Sequence, residues 1–212
     1  MIIAVDGPAA SGKGTVARAL ARHYGLPHLD TGLLYRAIAH NVSREELNPE
    51  READAVAASK FPDSLLDDEA LRSDEIGRLA SIVSAHPLVR AALLHRQKRF
   101  AARPGGAVLD GRDIGTVIAP NAQVKLFVRA TPTIRAKRRH AELRARGSTI
   151  SLDRVLADIR ARDLRDTGRS TAPLVMAADA ILLDTSFLSI DASVQKAIEL
   201  VDHRRAHRLP AG

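Results

Sequence analysis

Two kinds of apolar pattern alternate along the chain. Residues 2–5, 107–110, 123–128 and 180–183 are short, nearly continuous apolar runs, the pattern of strands buried on both faces. Residues 28–31 read as a fifth, shorter extended segment. Between these lie stretches with helical spacing. Val16, Leu20 and Tyr24 recur at i, i+4 and i+8 with Ala17 and Ala21 beside them, and Gly25 and Pro27 supply the stop. Further helices are expected from Gly32 through Ala39, around residues 49–59, over 74–85 on Ile76, Leu79, Ala80 and Val83, and from Pro87 to about Arg103. Phe61-Pro62-Asp63-Ser64 breaks the pattern between them. Thr131-Pro132 opens an arginine-rich helix that Gly147 ends, and Ser151 opens the next. Ser189 caps a final helix with Val194, Ala197, Ile198 and Val201 inward, and the tail from His203 is expected to fray. Strands alternating with helices predict an α/β fold, a parallel five-stranded sheet with helices on both faces, which places ligands beyond the carboxyl ends of the strands.

The first strand runs directly into Gly7-Pro8-Ala9-Ala10-Ser11-Gly12-Lys13-Gly14-Thr15, and a helix follows at once. Strand, GxxxxGK and helix in that order form the phosphate-binding loop: glycines let backbone N–H groups wrap a phosphate, the helix terminus adds positive potential, and Lys13 reaches the β- and γ-phosphates. The nonapeptide is therefore assigned to ATP. The residue after Lys13 is Gly14, where a Ser or Thr commonly ligates magnesium, and the hydroxyl comes one place later at Thr15. Mg²⁺ is thus expected to be held mainly by phosphate oxygens and water, with Thr15 and Asp110 the protein groups near it, through water. Asp110 earns that place as an acidic residue at the end of the next core strand.

Composition narrows the partners. The net charge is +7, and residues 135–169 hold eleven Lys or Arg against five Asp or Glu, a balance of +6. Aromatics are only 3% of the chain and none falls between Arg129 and Pro173, so this stretch lacks the stacking platforms of a nucleic-acid track. An arginine cluster serving small phosphates fits better. Cysteine is absent and no apolar run approaches the length of a membrane span, so a soluble, cytoplasmic protein without a leader segment is expected.

Three further stretches carry candidate chemistry. In Asp30-Thr31-Gly32-Leu33-Leu34-Tyr35-Arg36, Thr31 can cap a helix and share an anion with Arg36. In Asp110-Gly111-Arg112-Asp113, a donor fork and an acceptor stand side by side at a strand end. Arg162, Asp166 and Arg169 fall at i, i+4 and i+7, one helix face offering carboxylate for hydroxyls and arginine for phosphate; an Arg162–Asp166 salt bridge is the plainer alternative. No general base is needed, because a phosphate monoester with a second pKa near about 6 is already an ionised nucleophile at neutral pH. Catalysis then reduces to positioning and charge neutralisation, with Lys13, Mg²⁺, Arg135, Arg138 and Arg139 as the neutralising groups.

With those residues in view, nearly the whole chain resembles the bacterial cytidylate kinases, P-loop nucleoside monophosphate kinases. GPAASGKGT, LDTGLLYR, ASIVSAHPLVR, DGRDIGTVIAP and RDLRDTGRSTAPL carry the resemblance, DGRDIGTV most distinctively. It implies transfer of a phosphoryl group from ATP to CMP or dCMP by a monomer with no nucleic-acid partner. Thr31, Arg36 and Arg112 would hold the acceptor phosphate, with Tyr35 and Asp110 close by. Ser81, Arg90 and Asp113 would read cytosine, Arg162 and Asp166 would engage the ribose, and Arg169 would lie near the phosphates. Arg112, Arg162 and Arg169 thereby join the catalytic set with Lys13. One kinase domain, 1–212, would comprise a core (1–40, 87–130, 174–206), a nucleotide-binding excursion (41–86) and a mobile arginine-rich lid (131–173). The excursion is shorter than the insert of the long-form relatives, so a reduced flap is expected over the pyrimidine. Rival readings are a kinase for UMP or a shikimate-like acceptor and, from another class, a nucleotide-dependent nucleic-acid-binding protein using the +6 stretch.

Overall fold

The structure, a computed structural model, describes residues 1–207. Five parallel strands form one sheet in the order β2-β3-β1-β4-β5, with β1 (Ile2–Asp6) central, β2 (His28–Asp30) and β5 (Ile181–Asp184) at the edges, and β3 (Ala107–Gly111) and β4 (Val124–Arg129) between. Ile3 and Val5 point to one face and Ala4 to the other, as a pleated strand requires. The first face packs Ile3, Val5, Leu126 and Val128 on α1 (Lys13–Tyr24) and α8 (Ile190–Ala206) through Val16, Leu20, Ala197 and Val201. The second packs Ala4, Ala107 and Leu109 under α5 (Pro87–Ala101) and a turn carrying Ile114 and Ile118.

Two pieces stand on this base. α2 (Thr31–Arg44), α3 (Glu52–Ala57) and α4 (Asp74–Val83) gather Leu34, Ile38, Ala55, Ile76, Leu79 and Val83 into a second core with Val89 and Leu93 of α5. α6 (Pro132–Ala145) and α7 (Leu152–Gly168) form a hairpin closed on Ala136, Leu143, Val155 and Ile159.

Local sequence explains most ends. Gly25 takes the left-handed conformation, φ 64°, beyond α1, and the hydroxyls of Thr131, Ser151 and Ser189 each accept the N–H three residues on. Three expectations are corrected. Asp30, not Thr31, caps α2, its carboxylate accepting from Gly32 N. The stronger acceptor takes the cap, and α2 then runs five residues past Ala39 to Arg44. His203 lies within α8, which continues to Ala206; residues 208–212 of the expected frayed tail lie outside the described residues. Between α3 and α4 the chain makes two tight turns, Asp63–Asp67 and Glu69–Arg72.

Candidate active site

The loop after β1 is shaped by conformations that ordinary residues avoid. Gly7 lies against the Val128 carbonyl where any Cβ would collide with it, and Gly12 enters α1 at φ 91°. The Ser11 carbonyl accepts from Thr185 Oγ1 at 2.8 Å, pinning the loop to the end of β5. Burial in the cleft, reinforced by the Arg112 charge, pushes the Lys13 ammonium down to about 8, against the pull of Asp110 and Asp30.

Those two carboxylates stand opposite each other in the β2–β3 register. Burial, followed by the charge of Asp110, raises the Asp30 carboxyl. Asp110 Oδ1 takes the imidazole Nε2 of His28 at 2.7 Å. Its Oδ2 faces the phosphate loop, 3.7 Å from where a Cβ of Gly14 would stand, and Arg18 brings a guanidinium nitrogen to 3.5 Å of the same point. Thr31 donates its hydroxyl to the Asp110 carbonyl at 2.8 Å, so its first bond is to β3.

Next to Lys13 opens a cavity of about 180 Å³ that Thr31, Tyr35, Arg36, Arg90, Arg112, Asp113, Arg162, Asp166 and Arg169 all line. Sequence reasoning assembled this set from four separate segments, and the fold brings them together. Arg90 meets Asp113 at 2.6 Å and covers the Tyr35 ring at 5.4 Å. Arg169 stands 3.8 Å from the other oxygen of Asp113. Asp166 pairs with Arg112 at 2.7 Å, replacing the Arg162–Asp166 bridge considered above. Burial raises the Asp166 carboxyl, but Arg112 and Arg162 outweigh it and hold the group below the usual carboxylate range.

Arg162 and Arg169 therefore have less than they need. Arg162 Nε and Arg169 Nη2 are buried donors with no hydrogen-bond partner. Burial and the neighbouring Arg112 charge push the Arg162 guanidinium down to about 10; burial and Arg90 lower Arg169. Unsatisfied buried cationic donors are costly in a protein interior, and an anion bound in the cavity lowers the cost. Arg36 keeps one nitrogen on the carbonyls of Leu71 (2.6 Å) and Ser73 (3.0 Å), and Gly77 lacks the Cβ that would stand 2.7 Å from its Nη2. Ser81 sits apart, in an adjoining cavity of about 300 Å³ between α4 and the hairpin, where its hydroxyl accepts from Arg165 at 3.2 Å.

The hairpin arginines divide. Arg135 is buried, with both terminal nitrogens on Asp163 (2.9 and 2.6 Å) and its Nε on the Ala130 carbonyl. It is a strut tying α6 to α7 in this arrangement. Arg138 covers the phosphate loop, donating to the carbonyls of Ser11 and Thr185 and to Thr185 Oγ1. Arg139 reaches Asp74 at 2.7 Å and Glu142 at 3.1 Å. Gly12 to Val16, Arg138, Thr185, Leu188 and Ile190 line a further cavity of about 580 Å³, continuous with the loop.

Three residues beside the site escaped the sequence reading: Arg18, His28 and Arg165. They look like ordinary polar positions until the fold sets them next to Asp110 and Ser81.

A family model described as cytidylate kinase matches residues 3–203. A cytidylate kinase of Xanthobacter autotrophicus is 59% identical over 208 residues, 98% of this chain and 100% of that one. Another, from a Bradyrhizobium species, is 56% identical over 98% of this chain and 99% of its own length. Among solved structures, a gluconokinase from Sinorhizobium meliloti is 14% identical with a TM-score of 0.57, covering 100% of this chain and 97% of that one; the likeness is one of fold. The chain belongs to the cytidylate kinase family.

Proposed function

We propose that this family member transfers the γ-phosphoryl group of ATP to CMP or dCMP, giving ADP and CDP or dCDP. The observation that carries the reading is the cavity beside Lys13 lined by Arg36, Arg112, Arg162 and Arg169, where Arg162 Nε is a buried donor with no hydrogen-bond partner. An acceptor that is itself a phosphate monoester satisfies them. Thr31, Arg36 and Arg112 hold its phosphate, Asp166 takes the ribose, and Arg90 and Asp113 contact the base, which Ser81 approaches from the adjoining cavity. Cytosine offers an amino donor where Asp113 offers an acceptor.

ATP lies with its phosphates in Gly7–Thr15 and its nucleoside in the cavity walled by Arg138, Leu188 and Ile190. The acceptor oxygen, ionised at neutral pH, needs only alignment with the γ-phosphorus. Lys13, Arg162 and Arg169 neutralise charge on the transferring group, helped by Arg138 and Arg139 once ligands displace their present partners. Closing the hairpin excludes water, which would otherwise take the phosphoryl group.

Mg²⁺ fits this site. Asp110 Oδ2 and Thr15 lie beside the loop, while among the described residues no group of three acidic or histidine ligands could cage an ion, so phosphate oxygens and water complete its shell. When bound, the ion supplies charge neutralisation across the β- and γ-phosphates.

We further propose that residues 41–86 and 131–173 move as insert and lid on the core, and that the protein acts as a monomer. Among the described residues no helix is long and apolar enough to cross a membrane. Arg135, Arg138 and Arg139 turn toward protein groups rather than outward. Phosphorus NMR of a reaction with ATP and CMP tests the reading: ADP and CDP should appear in equal amounts, and inorganic phosphate in place of CDP would contradict it.

A further inference from the structure

Asp6 closes the central strand, one residue before Gly7, and takes no part in the chemistry above. Its side chain is buried, 6% exposed. Both oxygens are used: Oδ1 accepts from Ile114 N at 2.9 Å and Oδ2 from Gly115 N at 2.8 Å, across more than a hundred residues of sequence. Those N–H groups immediately follow Asp113. They open a wide turn, Ile114–Ile118, in which Ile118 N reaches back five residues to the Asp113 carbonyl at 3.2 Å and Ala119 N to Ile114 at 2.7 Å. Wide turns of this kind leave early N–H groups without a local acceptor and occur frequently at functional sites. Gly115 permits the approach, since a Cβ there would stand 3.3 Å from Asp6 Oδ2 and 3.1 Å from the Lys125 stem.

We propose that Asp6 is a positioning residue for acceptor-base selection, fixing the backbone that aims Asp113 while Arg90 fixes its carboxylate. The inference rests on Asp113 reading the base. Asp113 is then held from two directions, by Arg90 at 2.6 Å on its side chain and by Asp6 on the two peptide groups after it. Only a carboxylate in this position accepts both bonds. Asp6→Asn keeps the shape but offers one oxygen, and its amide nitrogen confronts the second N–H, donor to donor. The turn must shift to relieve this, and Asp113 moves with it.

The test is the CMP/UMP ratio of kcat/KM in wild type, Asp6→Asn, Asp113→Asn and the double variant, with ADP affinity measured alongside. The expected result is a fall in the ratio of about fivefold or more in Asp6→Asn, ADP affinity within about twofold, and no further fall when Asp6→Asn is added to Asp113→Asn, since coupled residues are not additive. If Asp113→Asn leaves the ratio unchanged, the base-reading assignment falls and the inference with it. If Asp113→Asn shrinks the ratio and Asp6→Asn does not, or the two effects simply multiply, the inference alone is overturned.

Wild-type protein gives a second measurement should Asp6→Asn not fold. Burial pushes the Asp6 carboxyl up to about 6; the charged groups facing it are Asp113 and Arg112 in its turn and, from β4, Lys125, whose ammonium goes to Asp179 at 2.8 Å. Protonation removes one acceptor, so the CMP/UMP ratio should fall as pH drops through about 6; titration of the acceptor phosphate is common to both substrates and cancels. A ratio flat across that range would overturn the proposal.

Discussion

Lys13 and Asp110 show what single residues contribute. Lys13 is held near about 8 by burial and by Arg112, so at pH 9 the free protein carries it mostly neutral. A nucleotide phosphate beside it restores the charge. ADP binding at pH 9 should therefore take up most of a proton, measurable by calorimetry in buffers of different ionisation enthalpy, and Lys13→Met should abolish the uptake. The same variant should lose about a hundredfold or more in kcat, the scale of one key donor, while unfolding little more easily. His28 acts on stability instead. Removing its imidazole leaves Asp110 Oδ1 buried without a partner, so His28→Leu should cost about 1–3 kcal/mol in urea unfolding. His28→Gln, which can present a donor at a similar reach, should recover much of it; equal losses in both would show that the bond at 2.7 Å contributes nothing. Residues of this kind divide what a sequence shows from what it hides. Gly7, Gly12 and Lys13 are legible because their spacing is the mechanism. Arg135 and Arg162 are both arginines on the α6–α7 hairpin, and only the fold decides that Asp163 consumes one and leaves the Nε of the other unsatisfied.

Secondary-structure elements were legible wherever periodicity or a breaker spoke alone. All five strands, Gly25, Pro87 and the caps at Thr131, Ser151 and Ser189 fall where pattern places them. Competition between neighbours was harder. Asp30 and Thr31 both suit a cap, and the hydroxyl was drawn to the Asp110 carbonyl, leaving the cap to Asp30. The turn Ile114–Ile118 has neither helical nor strand period, because Asp6, far away in sequence, supplies its acceptors. Between the α6–α7 hairpin and α4 with the turn before it, the visible ties are Arg139–Asp74, Arg146 on the Arg72 carbonyl and Arg165 on Ser81. The first is an exposed pair, worth about 0–1 kcal/mol, so Asp74→Ala should hardly move the unfolding midpoint. It should nonetheless raise hydrogen exchange in α6 and α7 of the free protein. A bisubstrate analogue should suppress that exchange in both proteins far more than either nucleotide alone. Exchange that ignores ligands altogether would show a hairpin rigidly fixed to α4.

The whole molecule is a parallel sheet whose strand ends gather two cavities around one lysine. β1 sits between β3 and β4, so the loop after it opens at the point where connections turn to opposite sides of the sheet. The cavity proposed for the donor lies on the α1–α8 side and the one proposed for the acceptor under α2 and α7, with Lys13 lining both. Fold class and phosphate loop follow from sequence pattern alone, the first from strands alternating with helices along the chain and the second from one stretch. The acceptor cavity does not, because Thr31, Arg90, Asp113 and Arg162 come from four elements and only the resemblance joined them in advance. The central proposal is that the arginine-lined cavity beside Lys13 receives a cytosine nucleotide. A coupled assay at fixed ATP and Mg²⁺, with CMP, dCMP, UMP, AMP and GMP offered separately, tests it most directly. CMP or dCMP should give the highest kcat/KM, with AMP and GMP lower by about a hundredfold or more, the scale on which a site built for one polar pattern rejects another. AMP, GMP or UMP as the best acceptor would contradict it.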